Sequence, residues 1–145
     1  MTEREVKRLL FEYGNFNERI LEINGEIKRL TEIIENMRQV RAVINDGMPP
    51  QGGVNDPTGE TAQKIVDVYE KQINGLWLKT VKVYENKKKV DLLLDALSHN
   101  EKAVITERYI KKTRWDFIPG KVHISRRWCF SLHKRALRKM CKVKL

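Results

Sequence analysis

Apolar residues recur every three or four positions through the first 44 residues of the chain. This spacing is typical of the packed face of one long α-helix. Thr2 and Glu5 form a capping-box pattern at its start. Gly14 and Gly25 lie off the packed face, so we predict that the helix continues through both. The series is Val6, Leu9, Tyr13, Phe16, Ile20, Ile23, Ile27, Leu30, Ile34, Met37, Arg41 and Ile44, in which only Arg41 is polar.

A second apolar series follows a segment rich in proline and glycine, residues 46–58. That segment predicts a loop, and Asp56-Pro57 within it predicts the start of a new helix. Two long helices joined by a short loop predict an antiparallel, coiled-coil-like hairpin over residues 1–97, roughly 55 to 60 Å long. The second series is Ala62, Val66, Tyr69, Ile73, Leu76, Thr80, Val83, Lys87, Val90, Leu94 and Leu97, interrupted only by Thr80 and Lys87.

Further apolar residues widen both stripes beyond what a single partner helix can cover. They are Leu10, Leu21, Ile33, Ile65, Trp77, Tyr84, Leu92 and Leu93. The C-terminal part of the chain, which adjoins Leu92 and Leu93, is one candidate to cover them, and a second copy of the hairpin is the other. We therefore predict a homodimer formed through the hairpin.

After residue 97 the pattern changes to shorter helices. Ser98 and Glu101 form a second capping box, which predicts a support helix. We predict a short helix that begins at Thr113, followed by a turn at residues 123–124. The inward side chains of this short helix are Trp115, Ile118 and Val122.

The last predicted helix spans residues 125–141, and Ser125 is its expected cap. Its apolar residues are Cys129, Leu132, Ala136, Leu137 and Met140, and those of the opposite, polar face are Arg127, Ser131, Lys134 and Arg138. One face therefore packs while the other meets solvent or a ligand. The two consecutive short helices predict a helix-turn-helix domain over residues 98–145. The chain as a whole is expected to be all-α.

The charge of the chain is concentrated in its last third. Residues 1–98 carry 15 Lys and Arg against 16 Asp and Glu, whereas residues 99–145 carry 14 against 3, a net charge of +11. A positive field of this size on one domain favours a polyanionic partner, most commonly nucleic acid. A solvated basic tail is the alternative, but aromatic residues and helical apolar spacing run through these charges.

Four segments of this region together resemble sigma-70 region 4. They are LSHNEKAVITERY at 97–109, WDFI at 115–118, HIS at 123–125 and LHKRAL at 132–137. The likeness is greatest to phage regulators of the ArpU and RinA type, to which the loop DGMPPQGGVNDPT at 46–58 is also similar. The resemblance implies a small DNA-binding regulator of phage or prophage genes in the cytoplasm of a bacterial host, without enzymatic activity.

One residue departs from the pattern of these regulators. Pro119, followed by Gly120, stands after Ile118, where such motifs usually carry a small residue. Proline removes a backbone donor and strains the preceding turn, so the first helix of the pair is expected to be short or kinked.

The position of each residue on the last helix predicts its contact with double-stranded DNA. Side chains of the first turns of a recognition helix point deepest into the major groove, and later ones meet phosphates. The predicted base-reading residues are Arg126, Arg127, Phe130 and Ser131; the predicted phosphate contacts are His133, Lys134, Arg135 and Arg138. The alternatives are that Arg126 and Arg127 are solvated charges and that His133 packs inside the domain.

Other chemistry finds little support in the sequence. Cys129 and His133 share a helical face, but two ligands do not make a structural zinc site, so no metal or cofactor is expected. Gly52-Gly53 does not lie between a strand and a helix, as a phosphate-binding loop would, and no nucleophile motif occurs. We therefore predict that the chain is not an enzyme. No run of 18 apolar residues or apolar N-terminal segment occurs, which favours a cytoplasmic chain without membrane contact.

Two functions remain open at this point. The first is a sequence-specific transcription regulator that binds DNA beside a host RNA polymerase. It is not a whole sigma factor, because the first 98 residues contain no aromatic, basic promoter-melting segment. The alternative is a helical assembly or adaptor protein, for example in phage packaging, whose basic domain binds nucleic acid nonspecifically.

Overall fold

The computed structural model describes the backbone of residues 1–46 and 57–145, and the side chains of residues 1–42 and 59–145. All regular elements in this part of the chain are helices, so the all-α prediction is confirmed. They are α1 (Glu3–Gly14), α2 (Phe16–Asp46), α3 (Pro57–Asp95), α4 (His99–Ile105) with a π-helical continuation (Thr106–Ile110), α5 (Ile118–Val122) and α6 (Arg126–Lys142). Most of the predicted loop at 46–58 lies outside the described residues.

The chain folds into two compact units that differ from the predicted division after residue 97. The basic unit comprises residues 1–19 and 82–145, and the second unit comprises residues 20–81. The basic unit includes the chain start because α1 and the end of α3 share a hydrophobic core with the C-terminal helices. That core contains Val6, Leu9, Leu10, Val90, Leu93, Leu94, Ile105, Ala136, Leu137 and Met140.

The first helix starts as predicted but ends early. Thr2 accepts a hydrogen bond from the amide of Glu5 at 3.3 Å, and the Thr2 amide donates to the Glu5 carboxylate at 2.8 Å. The prediction that this helix continues through Gly14 is wrong, since α1 ends there and Asn15 caps it. Gly14 faces the π-helical segment, and a Cβ at this position would lie 2.5 Å from the carbonyl oxygen of Tyr109. At Gly25 the helix does continue, as predicted.

A second core cluster joins α4, α5 and α6. It consists of the buried residues Val104, Ile118, Cys129 and Leu132, with Trp115, Val122 and Ile124 packed against it. Ser98 and Glu101 form the predicted capping box at the start of α4. The Glu101 carboxylate is buried and accepts a hydrogen bond from Lys139 of α6 at 3.0 Å, which links the two helices.

Helix α5 begins at Ile118, so the predicted start at Thr113 is wrong. The Thr113 amide donates to the Glu107 carbonyl at 2.8 Å, and its hydroxyl donates to the Glu107 carboxylate at 2.9 Å. These bonds fix Thr113 to the π-helical segment. Pro119 lies in the first turn of α5, where a missing amide costs little, and the helix is only five residues long.

The second unit, residues 20–81, contains α2 from Ile20 onward and α3 up to Val81. Among its described side chains, the buried hydrophobic ones are Ile23, Leu30, Ile34 and Val66, all members of the two predicted series. Thr80 is tolerated within the second series because its hydroxyl donates to the carbonyl of Leu76 at 3.1 Å. Arg38 of α2 and Glu70 of α3 form an exposed ion pair at 3.2 Å. Exposed pairs of this kind contribute little free energy, so the apolar contacts stabilise this unit.

Candidate nucleic-acid interface

Helix α6 is oriented by a tight turn and a serine cap. His123 adopts the left-handed conformation at φ 57°, and the amide of Ile124 donates to the carbonyl of Pro119 at 3.2 Å. Ser125 then accepts a hydrogen bond from the amide of Trp128 at 3.3 Å, which confirms it as the cap. The hydrogen bonds of Ile124 and Ser125 together fix where α6 begins.

The two faces of α6 have the predicted exposure. Cys129, Leu132, Ala136, Leu137 and Met140 are buried, whereas Arg127, Ser131, Lys134 and Arg138 are exposed. Within the described part of the chain, Arg127, Lys134 and Arg138 form no ion pair. The basic unit has 22 Lys and Arg against 10 Asp and Glu, a net charge of +12, whereas residues 20–81 carry a net charge of −2. Arg127, Lys134 and Arg138 therefore lie in a strongly positive unit and form no ion pair within the described residues.

Arg126 and Arg127 differ in their surroundings although they are adjacent. The Arg126 guanidinium lies 3.6 Å from the Asp116 carboxylate and 5.8 Å from the centre of the Phe130 ring. Both members of the ion pair are well exposed, so the pair is weak and its main effect is to orient Arg126. Arg127, at the centre of the exposed face, is available to a ligand.

The two other predicted base-reading residues are partly engaged. Phe130 packs against Trp115, with ring centres 4.6 Å apart, and 42% of the residue remains exposed. The Ser131 hydroxyl donates to the carbonyl of Arg127 at 3.2 Å, which leaves its oxygen lone pairs free to accept a hydrogen bond. Both residues can therefore present one side to a ligand.

The structure packs the part-buried ring of His133 against other side chains of the unit, which favours the packing alternative over a phosphate contact. Its Nε2 lies 2.8 Å from the Tyr109 hydroxyl, and its ring meets Trp115 edge to face with centres 4.8 Å apart. Burial, and to a lesser degree the positive charge of Lys7, lowers the pKa of His133 to about 4. A neutral imidazole with its outer nitrogen engaged cannot neutralise a phosphate at pH 7.

Lys134 and Arg138 remain candidates for phosphate contacts, and Arg135 has an additional contact. Its guanidinium lies 5.2 Å from the centre of the Trp128 ring. The neighbouring Lys139 is engaged with the buried carboxylate of Glu101 and belongs to the packing of the unit.

Sequence reasoning missed three residues at this surface. Trp128 stands between Arg127 and the core position Cys129, and nothing local marks it as exposed. Arg108 lies 5.3 Å from the centre of the Trp115 ring, a contact created by the π-helical segment. Asp116 could have been recognised as the ion-pair partner of a nearby cation, because it is the only acidic residue after Glu107.

Residues 1–46 and 57–145 contain no group of three or more His, Cys, Asp or Glu side chains that could hold a metal ion. The Cys129 thiol is buried and donates to the carbonyl of Ile124 at 3.7 Å, and burial raises its pKa. No helix described here is both long and apolar enough to cross a membrane.

Comparison with protein-family models, curated proteins and solved structures finds no significant match to this chain. The resemblance of residues 97–137 to sigma-70 region 4 and to the ArpU and RinA regulators therefore stays a prediction.

Proposed function

We propose that the chain binds duplex DNA in a sequence-specific manner, with α6 in the major groove, and acts as a transcription regulator. The observation that carries the proposal is the exposed face of α6. Three cations without an ion-pair partner in the described residues stand on it, in a unit of net charge +12. A regulatory role on phage or prophage genes is what the sequence resemblance implies.

Base reading is assigned to the first two turns of α6. Arg127 can donate two parallel hydrogen bonds to O6 and N7 of a guanine, which supplies roughly 1–3 kcal/mol of discrimination. Arg126 reads a neighbouring base from an orientation that Asp116 restrains. Phe130 offers its exposed edge to a thymine methyl, and Ser131 accepts a hydrogen bond from a base.

Phosphate binding is assigned to the later turns. Lys134, Arg135 and Arg138 lie where a recognition helix leaves the groove and meets the DNA backbone. Such contacts contribute affinity and salt dependence without discriminating between sequences.

Two further partners belong to this proposal. Exposed apolar side chains of the second unit, including Leu21, Trp77 and Leu78, favour a protein contact there, and we assign it to a second copy of the chain. A host RNA polymerase is the partner that a promoter-proximal regulator would approach. The DNA target of a dimer would then contain two related half-sites.

Two substitutions on the same face of α6 test the assignment. Arg127→Ala is expected to weaken binding to a duplex selected from random sequence far more than binding to random duplex, because it removes a base contact. Lys134→Ala is the matched control and is expected to weaken both alike and to lower the salt slope by roughly one unit. Fluorescence anisotropy over a range of salt concentrations measures both effects.

An equal loss on both duplexes for Arg127→Ala would make that arginine a phosphate contact and remove the base-reading assignment. Equal binding of the unaltered chain to the selected and random duplexes would instead favour the adaptor function. Both substituted side chains are exposed, so circular dichroism of the two variants should show unchanged helix content.

A further inference from the structure

Trp128 is a large aromatic residue held at the surface of α6 without an aromatic partner among the described residues. It is 44% exposed, although it occupies the third position of the helix. The other exposed ring on α6, that of Phe130, packs against Trp115. An exposed tryptophan beside exposed cations supplies an apolar contact surface within a basic face.

A backbone hydrogen bond fixes the helix start at Trp128, and a cation restrains its ring. Its backbone amide donates to Ser125 at 3.3 Å, which sets the start of the helix. The guanidinium of Arg135, two turns later, lies 5.2 Å from the ring centre. Helical side chains lean toward the helix N-terminus, and the Arg135 side chain accordingly extends back to the Trp128 ring. A cation–π contact of this kind restrains the ring and leaves part of its surface open.

The chemistry of the major groove limits what such a ring can contact. Each base pair presents hydrogen-bond donors and acceptors there, and the thymine C5-methyl is the apolar group. Trp128 stands beside Arg127, at the end of α6 that the proposed function places deepest in the groove. The exposed cations Arg127 and Lys134, whose face Trp128 flanks, attract the phosphate backbone and bring this helix to the bases.

We infer that Trp128 is a specificity-determining residue whose indole packs on the methyl group of one thymine, with Arg135 as the positioning residue that holds the ring. This inference rests on the proposed function and deepens it by naming a base that the target site contains. The thymine differs from the one that Phe130 contacts, because the two rings lie on opposite flanks of the exposed face of α6.

The test replaces each thymine of the selected duplex in turn by deoxyuridine, which lacks only the methyl group. For the unaltered chain, one replacement is expected to weaken binding roughly three- to tenfold through this contact. In Trp128→Ala that replacement should have no further effect, whereas in Trp128→Phe part of the response should return. Arg135→Ala should reduce the response as well as the salt slope, because the ring is no longer held.

Phe130→Ala is the matched control, since it removes an aromatic ring of similar exposure from the same helix. It is expected to weaken binding overall, because Phe130 has its own base contact and packs on Trp115, but to retain the fold-change at the Trp128 thymine. If Trp128→Ala, with unchanged circular dichroism, remains sensitive to deoxyuridine at every position where the unaltered chain is sensitive, the inference is overturned while specific binding stands. If the unaltered chain does not distinguish selected from random duplex, the proposed function fails and this inference fails with it.

Discussion

Gly14 is the position where a single methyl group should disturb the basic unit most. An added Cβ would lie 2.5 Å from the carbonyl oxygen of Tyr109 and 3.3 Å from that of Ile110. Both neighbours are backbone atoms of the π-helical segment and cannot rotate away. Gly14→Ala must therefore move α1 off that segment and loosen its contacts in the core, where Leu10 is fully buried.

The expected cost follows from two opposing effects. Overpacking a close contact typically costs about 1–3 kcal/mol, and replacing glycine by alanine in a helix returns at most about 1 kcal/mol. The net loss for Gly14→Ala is thus about 1–2 kcal/mol. For a unit of this size that corresponds to a fall in Tm of roughly 5–15 °C.

Thermal unfolding followed by tryptophan fluorescence measures this loss. The chain has three tryptophans, and in a Trp77→Phe background Trp115 and Trp128 report on the basic unit. Gly120→Ala is the matched control in the same unit, because its added Cβ meets no atom within 4 Å. It should leave stability unchanged or raise it by up to about 1 kcal/mol. Equal Tm values for Gly14→Ala and Gly120→Ala would refute the close-contact argument.

Three further predictions concern ionisable groups and assembly. Burial opposes ionisation of Glu101, but hydrogen bonds from Lys139 and Ser98 outweigh it and hold its pKa below 4.5. The stability that ionised Glu101 contributes is therefore present above pH 4.5 and lost as pH falls through the lowered pKa. Glu101→Gln should lower the free energy of unfolding by about 1–3 kcal/mol at pH 7 and by less at pH 3, as measured by urea unfolding. Because burial lowers the pKa of His133 to about 4, the basic unit should lose stability as pH falls from 6.5 toward 4. NMR should show a neutral His133 ring at pH 6, and titration of this ring near pH 6.5 would contradict its buried position. Sedimentation should show a dimer at micromolar concentration, and a 17.1 kDa monomer there would exclude the hairpin interface.

Local features of the fold could be read from the sequence. The caps at Thr2, Ser98 and Ser125 depend on residues within three positions of each other, and the apolar spacing of α6 depends on helix geometry alone. These features need no knowledge of the tertiary structure. They were predicted correctly for that reason.

The features that were missed depend on contacts between distant parts of the chain. Gly14 ends α1 because it lies against the backbone at Tyr109, and no local pattern near Gly14 reveals that neighbour. Thr113 fails to start a helix because Glu107 binds both its amide and its hydroxyl. For His133 the sequence left packing and a phosphate contact open, because its partner Tyr109 comes from the π-helical segment.

The start of α6 shows how far the candidate site could be predicted from the sequence. Periodicity places Arg126 and Arg127 together at the start of the recognition helix. Only the structure separates them, because Asp116 holds Arg126 while Arg127 has no ion-pair partner in the described residues. A charge pattern can therefore locate an interface without assigning a role to each cation.

The affinity of the full chain for its selected duplex, compared with random duplex of the same length and salt concentration, tests the central claim most directly. A sequence-specific regulator is expected to prefer the selected duplex by a factor of roughly 10³ or more. Affinities that agree within a few-fold would contradict sequence-specific recognition by α6 and leave only nonspecific binding by the basic unit.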